Sequence, residues 1–468
     1  MNYLSTRGGD AGLSFQDTVL TGLARDGGLL LPETIPDVSN RLGELAKLDY
    51  QSLAFEIIRL FATDIPDDDL RTIIDKSYST FRAKEITPVV QVGDIHVLEL
   101  FHGPTLAFKD LALQFLGNLF EYVLEKRGGR LNIVAATSGD TGSAAIHGMR
   151  GRKNITITVL HPHGRVSPVQ ALQMTSVLDP NVHNLAIDGT FDDCQAIVKA
   201  LFSDLPFREK YSLGAVNSIN WARVMAQVVY YFYGAFRTMA ATGSKTVSFT
   251  VPTGNFGDVF AGYVAFRMGL PIHRLVVATN ENDILARCFK TGVYKRGSVS
   301  ATLSPSMDIQ IASNFERYLY YLVGQDTAAV RRLMETFREK GEIDLTDNGA
   351  PIDDPVFRAG RGTTEDTLAA IRETWERHGY LMDPHTAVGV SVGRRFAAED
   401  PVPMICLSTA HPAKFGAAIE RAVGKDIARH PLIDALSGAE TRVSRLPADA
   451  SAVAAFVASN VSGEYSER

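Results

Sequence analysis

Short β-branched runs alternate with longer helical patterns through most of this chain, and that alternation limits the folds open to it. Strand-like stretches fall at 132–135, 154–160, 184–187, 246–250, 275–278 and 404–407. Their alternation with helical sequence argues for βαβ units, hence for an α/β protein with largely parallel sheets covered by helices on both faces. In open sheets of this kind ligands bind outside the carboxyl ends of the strands. Three motifs rich in glycine or hydroxyl groups lie just after such runs, beginning near Ala136, Val251 and Leu407.

The segment Phe101-His102-Gly103-Pro104-Thr105-Leu106-Ala107-Phe108-Lys109-Asp110 places one lysine at the mouth of a helix. Ala112, Leu116, Leu119, Phe120 and Val123 follow at helical spacing, and Lys126-Arg127-Gly128-Gly129 ends the run. The helix macrodipole disfavours an ammonium at such an end, which suits a lysine that must stay reactive as an amine. Taken alone, the pattern also fits a surface lysine at an ordinary helix start. Val251-Pro252-Thr253-Gly254-Asn255-Phe256-Gly257-Asp258 combines a strand end, a glycine turn and a helix start, which aims backbone N–H groups at one point, as a phosphate monoester requires. In Ala136-Thr137-Ser138-Gly139-Asp140-Thr141-Gly142-Ser143 the glycines admit a ligand close to the backbone and the hydroxyls add donors. Each loop alone is common in α/β proteins; both together with Lys109 are not.

Composition narrows the function classes. A chain of 468 residues with 45% hydrophobic content can bury a large core, and its length suggests about three domains. The net charge of −6 gives no electrostatic case for nucleic acid or an anionic membrane. Small-molecule chemistry is the expectation. The start lacks the apolar core of a signal peptide, and no uninterrupted apolar stretch approaches the roughly 18 residues of a membrane span. Cys194, Cys288 and Cys406 are far apart with no CxxC pair, so no metal site or disulfide framework is indicated, and a reducing cytoplasm is expected.

Taken together, FHGPTLAFKD, TSGDTGSA, TGNFGD and Leu407-Ser408-Thr409-Ala410-His411-Pro412-Ala413-Lys414-Phe415 resemble the threonine synthase family. That family belongs to the fold-type II pyridoxal-phosphate enzymes, which are tryptophan synthase β-like. Tyr3-Leu4-Ser5-Thr6-Arg7-Gly8-Gly9, Leu23 to Leu29, and Asp383-Pro384-His385-Thr386-Ala387-Val388-Gly389 extend the resemblance over about residues 1–430. On this basis residues 1–95 are expected to form an N-terminal, mainly helical domain, with helices near 50–62 and 67–81. Residues 96–245 would be a smaller α/β catalytic domain bearing the lysine. Residues 246–430 would be a larger one with an insertion at about 281–375, which includes a charged helix at 326–340 and a loop at 347–362. Residues 431–468 are expected to form a tail, with a short amphipathic or packed helix at 448–461 and a frayed polar end.

The resemblance implies that Lys109 holds pyridoxal 5'-phosphate as a Schiff base and moves protons on the substrate. Gly254, Asn255, Phe256, Gly257 and Asp258 match the cofactor-phosphate loop, with Asp258 capping the helix while backbone donors face the anion. Thr409 matches the hydroxyl facing the pyridine nitrogen. Ser138, Asp140, Thr141 and Gly142 match the loop that grips the substrate carboxylate. An ionised Asp140 would repel that carboxylate, so it is expected to face away or carry a proton. Asn217, Ser218 and Arg223 match the grip on the phosphate leaving group; without the resemblance they read equally well as a helix N-cap followed by an exposed arginine. His102, His385 and His411 are candidates for supporting roles, and Tyr230-Tyr231-Phe232-Tyr233 reads as a buried helix face.

The implied activity is that of a carbon–oxygen lyase acting on phosphates, converting O-phospho-L-homoserine and water to L-threonine and phosphate. Alternatives are a phospho-lyase or serine/threonine dehydratase of the same fold, and a catalytically silent binding protein of threonine-synthase-like sequence. A monomer is expected, without excluding a dimer.

Overall fold

The computed structural model describes residues 1–346, 352 and 354–461. Part of the loop expected at 347–362 and the polar end expected after the last helix lie outside the described residues. The chain packs as two units. Met1–Phe108 and Ser218–Arg429 form one; Lys109–Asn217, with the described residues from His430 on, form the other.

The first unit is built on a six-stranded sheet in the order Phe357–Arg361, Ile272–Thr279, Val247–Pro252, Met404–Ser408, Ile95–Glu99, Val89–Val92. All neighbours run parallel except the last pair, which forms an antiparallel hairpin. Val247–Pro252 and Met404–Ser408 are buried at every position, as expected of central parallel strands covered on both faces. Helix Trp221–Thr242, apolar nearly all round, is buried over most of its length and ends at Gly243, whose φ of 73° closes it in the left-handed conformation. The N-terminal residues fold as expected into helices Tyr50–Ile58 and Asp67–Tyr78, the first capped by Asp49, whose carboxylate accepts the Ser52 N–H at 2.8 Å. They also add a small antiparallel pair, Tyr3–Ser5 with Leu30–Pro32. The region at 281–375 is largely helical, and it supplies the edge strand Phe357–Arg361, which pairs in parallel with Ile272–Thr279.

The second unit has a wholly parallel five-stranded sheet in the order Ser444–Pro447, Val182–Asp188, Ile155–Pro162, Leu131–Ala136, Leu213–Gly214. Its tail strand Ser444–Pro447 is followed by helix Ala450–Asn460, whose Val453 and Val457 join Cys194, Ile197 and Leu201 of helix Phe191–Ser203 in one apolar cluster. The two sheets with helices on their faces are the α/β architecture expected from the alternation of runs. Among the described residues no helix is long and apolar enough to cross a membrane.

Helix Lys109–Arg127 begins at the lysine and ends before Gly128, whose φ is 65°. It packs closely on helix Asp140–Met149 through a pair of glycines. A Cβ on Gly117 would collide with the Gly148 carbonyl oxygen, and one on Gly148 would lie 2.5 Å from the Leu113 carbonyl oxygen. Backbone atoms on both sides cannot rotate away, so this contact sets how the lysine helix lies against the helix that opens at Asp140. Gly148→Ala is expected to lower unfolding stability by about 1–3 kcal/mol, the range for overpacking a close contact. Denaturant unfolding of the variant and the parent protein checks this.

Candidate active site

In the first unit, strand Val247–Pro252 runs into helix Gly257–Arg267 through Thr253-Gly254-Asn255-Phe256. Phe256 sits at the N-cap with φ 65°, a left-handed conformation that costs a large side chain strain. Its ring is buried among Phe289, Phe315, Tyr318 and Phe357, with ring centroids 5.3–6.2 Å away, and this packing holds the strained turn in place. No side chain caps the helix, so its first N–H groups are presented to an anion together with the positive end of the macrodipole. Gly254 and Gly257 are glycines for reasons of space: a Cβ would lie 2.8 Å from the Ser306 carbonyl oxygen at the first, and 3.1 Å from the Asn314 Nδ2 at the second.

The Asp258 carboxylate does not make the expected cap of this helix and is turned to the protein instead. It accepts hydrogen bonds from the Tyr230 hydroxyl at 2.6 Å and the Tyr231 hydroxyl at 2.9 Å. The aromatic run expected as a buried face is buried, and its hydroxyls also fix the first turn of the phosphate-loop helix. Burial and the adjacent Asp258 raise both phenols well above their ordinary range, so they stay protonated as donors.

Strand Met404–Ser408 delivers Thr409 at its carboxyl end, nine-tenths buried; among the described residues its hydroxyl has no hydrogen-bond partner. Its backbone is tied on both sides. The Phe108 N–H donates to the Thr409 carbonyl at 2.8 Å, and the Thr409 N–H donates to the Thr386 hydroxyl at 3.3 Å. Phe108 immediately precedes Lys109, and Leu106, at φ 60°, turns the chain just before it. Ser408, 3.1 Å from the Thr386 hydroxyl, is packed at the strand end. His385 accounts for one of the three histidine candidates: its Nδ1 meets Asp383 at 2.7 Å, and its Nε2 accepts the Ser306 N–H at 3.2 Å, beside Gly254. His411 caps a short turn by accepting the Ala413 N–H, and His102 pairs with Glu99.

Ser218 and Arg223 flank the start of helix Trp221–Thr242, whose N-cap, Asn220, accepts the Ala222 N–H. Arg223 is only 3% exposed, so the helix has its cap but the arginine is not a solvated one. Burial pulls its guanidinium down to about 10, with Tyr230 opposing the shift; it remains a cation at neutral pH. Ser218 lies near Gly257 and within 3.5 Å of the Ser313 hydroxyl, so the first unit brings the serine expected at the leaving group to the loop expected at the cofactor phosphate. Ser313, Asn314, Arg317, Ser306 and the paired tyrosines escaped the sequence reading. Ser313 and Asn314 could have been noticed as polar residues opening the apolar helix Phe315–Leu322.

In the second unit, Lys109 is the first residue of its helix and is buried. The loop after strand Leu131–Ala136 is shaped by Thr137, whose hydroxyl accepts the N–H groups of Gly139 and Gly142 at 3.0 and 2.9 Å. Gly139, at φ 152°, makes the turn into helix Asp140–Met149, again with no side-chain cap. Asp140 is buried, and its carboxylate accepts from the Gln170 Nε2 at 2.8 Å. Ser138 is exposed, Thr141 half-buried and Asn217 exposed.

Pyridoxal phosphate fits the groups of each unit taken by itself: in the first, a helix start behind closely packed glycines and Thr409 nine-tenths buried at a strand end; in the second, a buried lysine opening a helix. Fold and site together define a fold-type II pyridoxal-phosphate enzyme. Residues 80–405 match the family model for pyridoxal-phosphate dependent enzymes, residues 2–78 that for the threonine synthase N terminus, and residues 386–457 that for the threonine synthase C-terminal region. The chain is 49% identical to threonine synthase of Saccharomyces cerevisiae over 90% of its own length and 89% of that protein. It is 48% identical to threonine synthase of Pseudomonas aeruginosa over 98% of both. It superposes on the crystal structure of PLP-bound threonine synthase from Brucella melitensis with a TM-score of 0.94 at 47% identity, covering 99% of this chain and 100% of that one. The chain belongs to the threonine synthase family.

Gly254→Ala is expected to weaken retention of pyridoxal phosphate by about ten-fold or more while the protein stays folded, because the new methyl meets the backbone of Ser306. Cofactor titration followed by visible absorption, beside circular dichroism, measures both.

Proposed function

We infer that the protein converts O-phospho-L-homoserine and water to L-threonine and phosphate. What supports this reading is Ser218 beside Gly257 of the TGNFGD loop, and Arg223, five residues further on, buried in the same unit as Thr409. A dehydratase with a hydroxyl leaving group has no use for a buried guanidinium there.

When bound, pyridoxal phosphate supplies an electron sink conjugated to the substrate Cα. The backbone N–H groups from Gly254 to Asp258 would hold its phosphate, and the Thr409 hydroxyl would face the pyridine nitrogen as a neutral partner. Ser138, Thr141 and Gly142 grip the substrate carboxylate. The Asp140 carboxylate is engaged by Gln170, which supports the expectation that it faces away from that anion. The Lys109 amine takes the proton from Cα and serves as acid and base at Cβ and Cγ. Arg223, Ser218 and Asn217 hold the phosphate as the Cγ–O bond breaks, so that the bonding pair leaves with phosphate. Water then adds its oxygen to Cβ, and Cγ ends as the threonine methyl group. The cytoplasm suits this metabolism.

Incubation with phosphohomoserine, assaying threonine and 2-oxobutanoate together, tests the reading: threonine is expected, and 2-oxobutanoate alone would make the protein a phospho-lyase. Borohydride reduction should fix pyridoxyl on Lys109, and Lys109→Ala should abolish turnover; label on another lysine would overturn its role. Arg223→Ala should lower kcat/KM by about one to two orders of magnitude, the loss of a charge-assisted contact, with cofactor absorption intact. Arg223→Lys should recover only part, since an ammonium lacks the planar fork.

A further inference from the structure

Arg317 is fully buried, yet its guanidinium donates only to neutral oxygens: the Leu30 carbonyl from Nε and Nη2, the Ile219 carbonyl from Nη2, and the Asn314 Oδ1 from Nη1. Among the described residues it forms no ion pair. The carboxylate next to it in sequence, Glu316, is taken by Arg7 at 2.7 Å and by the Thr6 hydroxyl at 2.6 Å. Burial lowers the Arg317 guanidinium to about 9, which leaves it charged at neutral pH. Glu316 opposes that shift through space while bonded to Arg7, and the carbonyl dipoles that Arg317 itself contacts solvate a costly buried cation without neutralising it.

The residues around Arg317 lead toward both anion loops. Asn314, accepting from Arg317 through Oδ1, directs its Nδ2 to the Ser218 hydroxyl at 3.4 Å, and its backbone N–H donates to the Asn255 carbonyl at 3.0 Å. Its Nδ2 is also the atom that a Cβ on Gly257 would meet. The Ser313 hydroxyl is 3.5 Å from that of Ser218 and 3.4 Å from Asn255 Oδ1. These contacts are long, so the hydroxyls are held near one another without being consumed. A Ser218 oxygen that accepts from Asn314 keeps its own proton to give.

We propose that Ser313, Asn314 and Arg317 form part of a binding site for a phosphate monoester dianion, in which Arg317 supplies the balancing charge and Asn314 and Ser313 present the donors beside Ser218. This rests on the reading of the protein as a pyridoxal-phosphate enzyme acting on phosphohomoserine. The dianion is either the phosphate of the cofactor or that of the substrate, and one substitution separates the two.

Asn314→Asp is nearly isosteric and places a carboxylate on Arg317, so a purely structural role predicts an equally stable or more stable protein with unchanged binding. The proposal predicts an unchanged or raised Tm together with phosphate-monoester affinity about ten-fold weaker or worse, on the scale of one charge-assisted hydrogen bond. Weaker binding of pyridoxal phosphate, followed by fluorescence titration of the apoprotein, places the dianion at the cofactor. A higher KM for phosphohomoserine and a higher inhibition constant for inorganic phosphate, with cofactor affinity intact, place it at the leaving group. Cofactor, substrate and phosphate affinities all within two-fold of the parent's would overturn the proposal. Ser313→Ala, at a half-buried position that tolerates truncation, is read in the same way, with about a three-fold or larger loss expected; it decides the matter if Asn314→Asp does not fold. The parent protein is the control for the underlying reading, which fails by itself if the parent neither binds pyridoxal phosphate nor consumes phosphohomoserine.

Discussion

The left-handed turn at Phe256 is the constraint on which the first unit's chemistry depends. A phenylalanine is a poor choice for φ 65° on conformational grounds, and glycine or asparagine would adopt it with less strain. The ring explains the choice. Set among Phe289, Phe315, Tyr318 and Phe357, it converts aromatic burial into a fixed backbone geometry. Helix Gly257–Arg267 then starts at one place and in one direction, with Tyr230 and Tyr231 fastening its first turn from the other side. Preorganised backbone donors of this kind need no rearrangement when an anion arrives.

Charge in this unit is handled by pairing each buried ion with groups suited to its task. The Asp258 carboxylate accepts from two phenols, those of Tyr230 and Tyr231. Arg317 is the reverse, a buried guanidinium held among the described residues by neutral oxygens. A protein that meant only to be stable would do better with apolar residues at such positions.

Much of this was legible in the sequence, for identifiable reasons. Buried parallel strands read as short runs of β-branched and apolar residues, so Val247–Pro252, Ile155–Pro162 and Met404–Ser408 were visible as strands. The start of the lysine helix was visible because apolar residues at helical spacing begin just after Lys109. What stayed hidden depends on partners distant in the chain. Phe357–Arg361, with two arginines and a glycine, lacks a strand's composition and is one only because Ile272–Thr279 offers it an edge. Ser444–Pro447 is similar. Asn314 and Arg317 lie in a stretch that looks like a polar insertion, and their significance comes from Ser218, Ile219 and Leu30, which no local pattern connects to them. The Tyr230 and Tyr231 hydroxyls were invisible for a simpler cause: hydropathy registers the rings and not where the oxygens point.

The pairing of Ser444–Pro447 with Val182–Asp188 has a consequence for how the polypeptide matures on the ribosome. Arg445 bonds Asp188 across 257 residues of sequence, so the outer edge of the second unit's sheet is completed by residues translated long after the strand they cover. Until then Val182–Asp188, buried at most positions in the finished fold, is an unpaired apolar edge, the kind of surface that invites pairing with another chain. A transcript truncated anywhere before Ser444 therefore yields more than an inactive fragment; it yields one with its most adhesive strand uncovered, a natural client for chaperones and proteases.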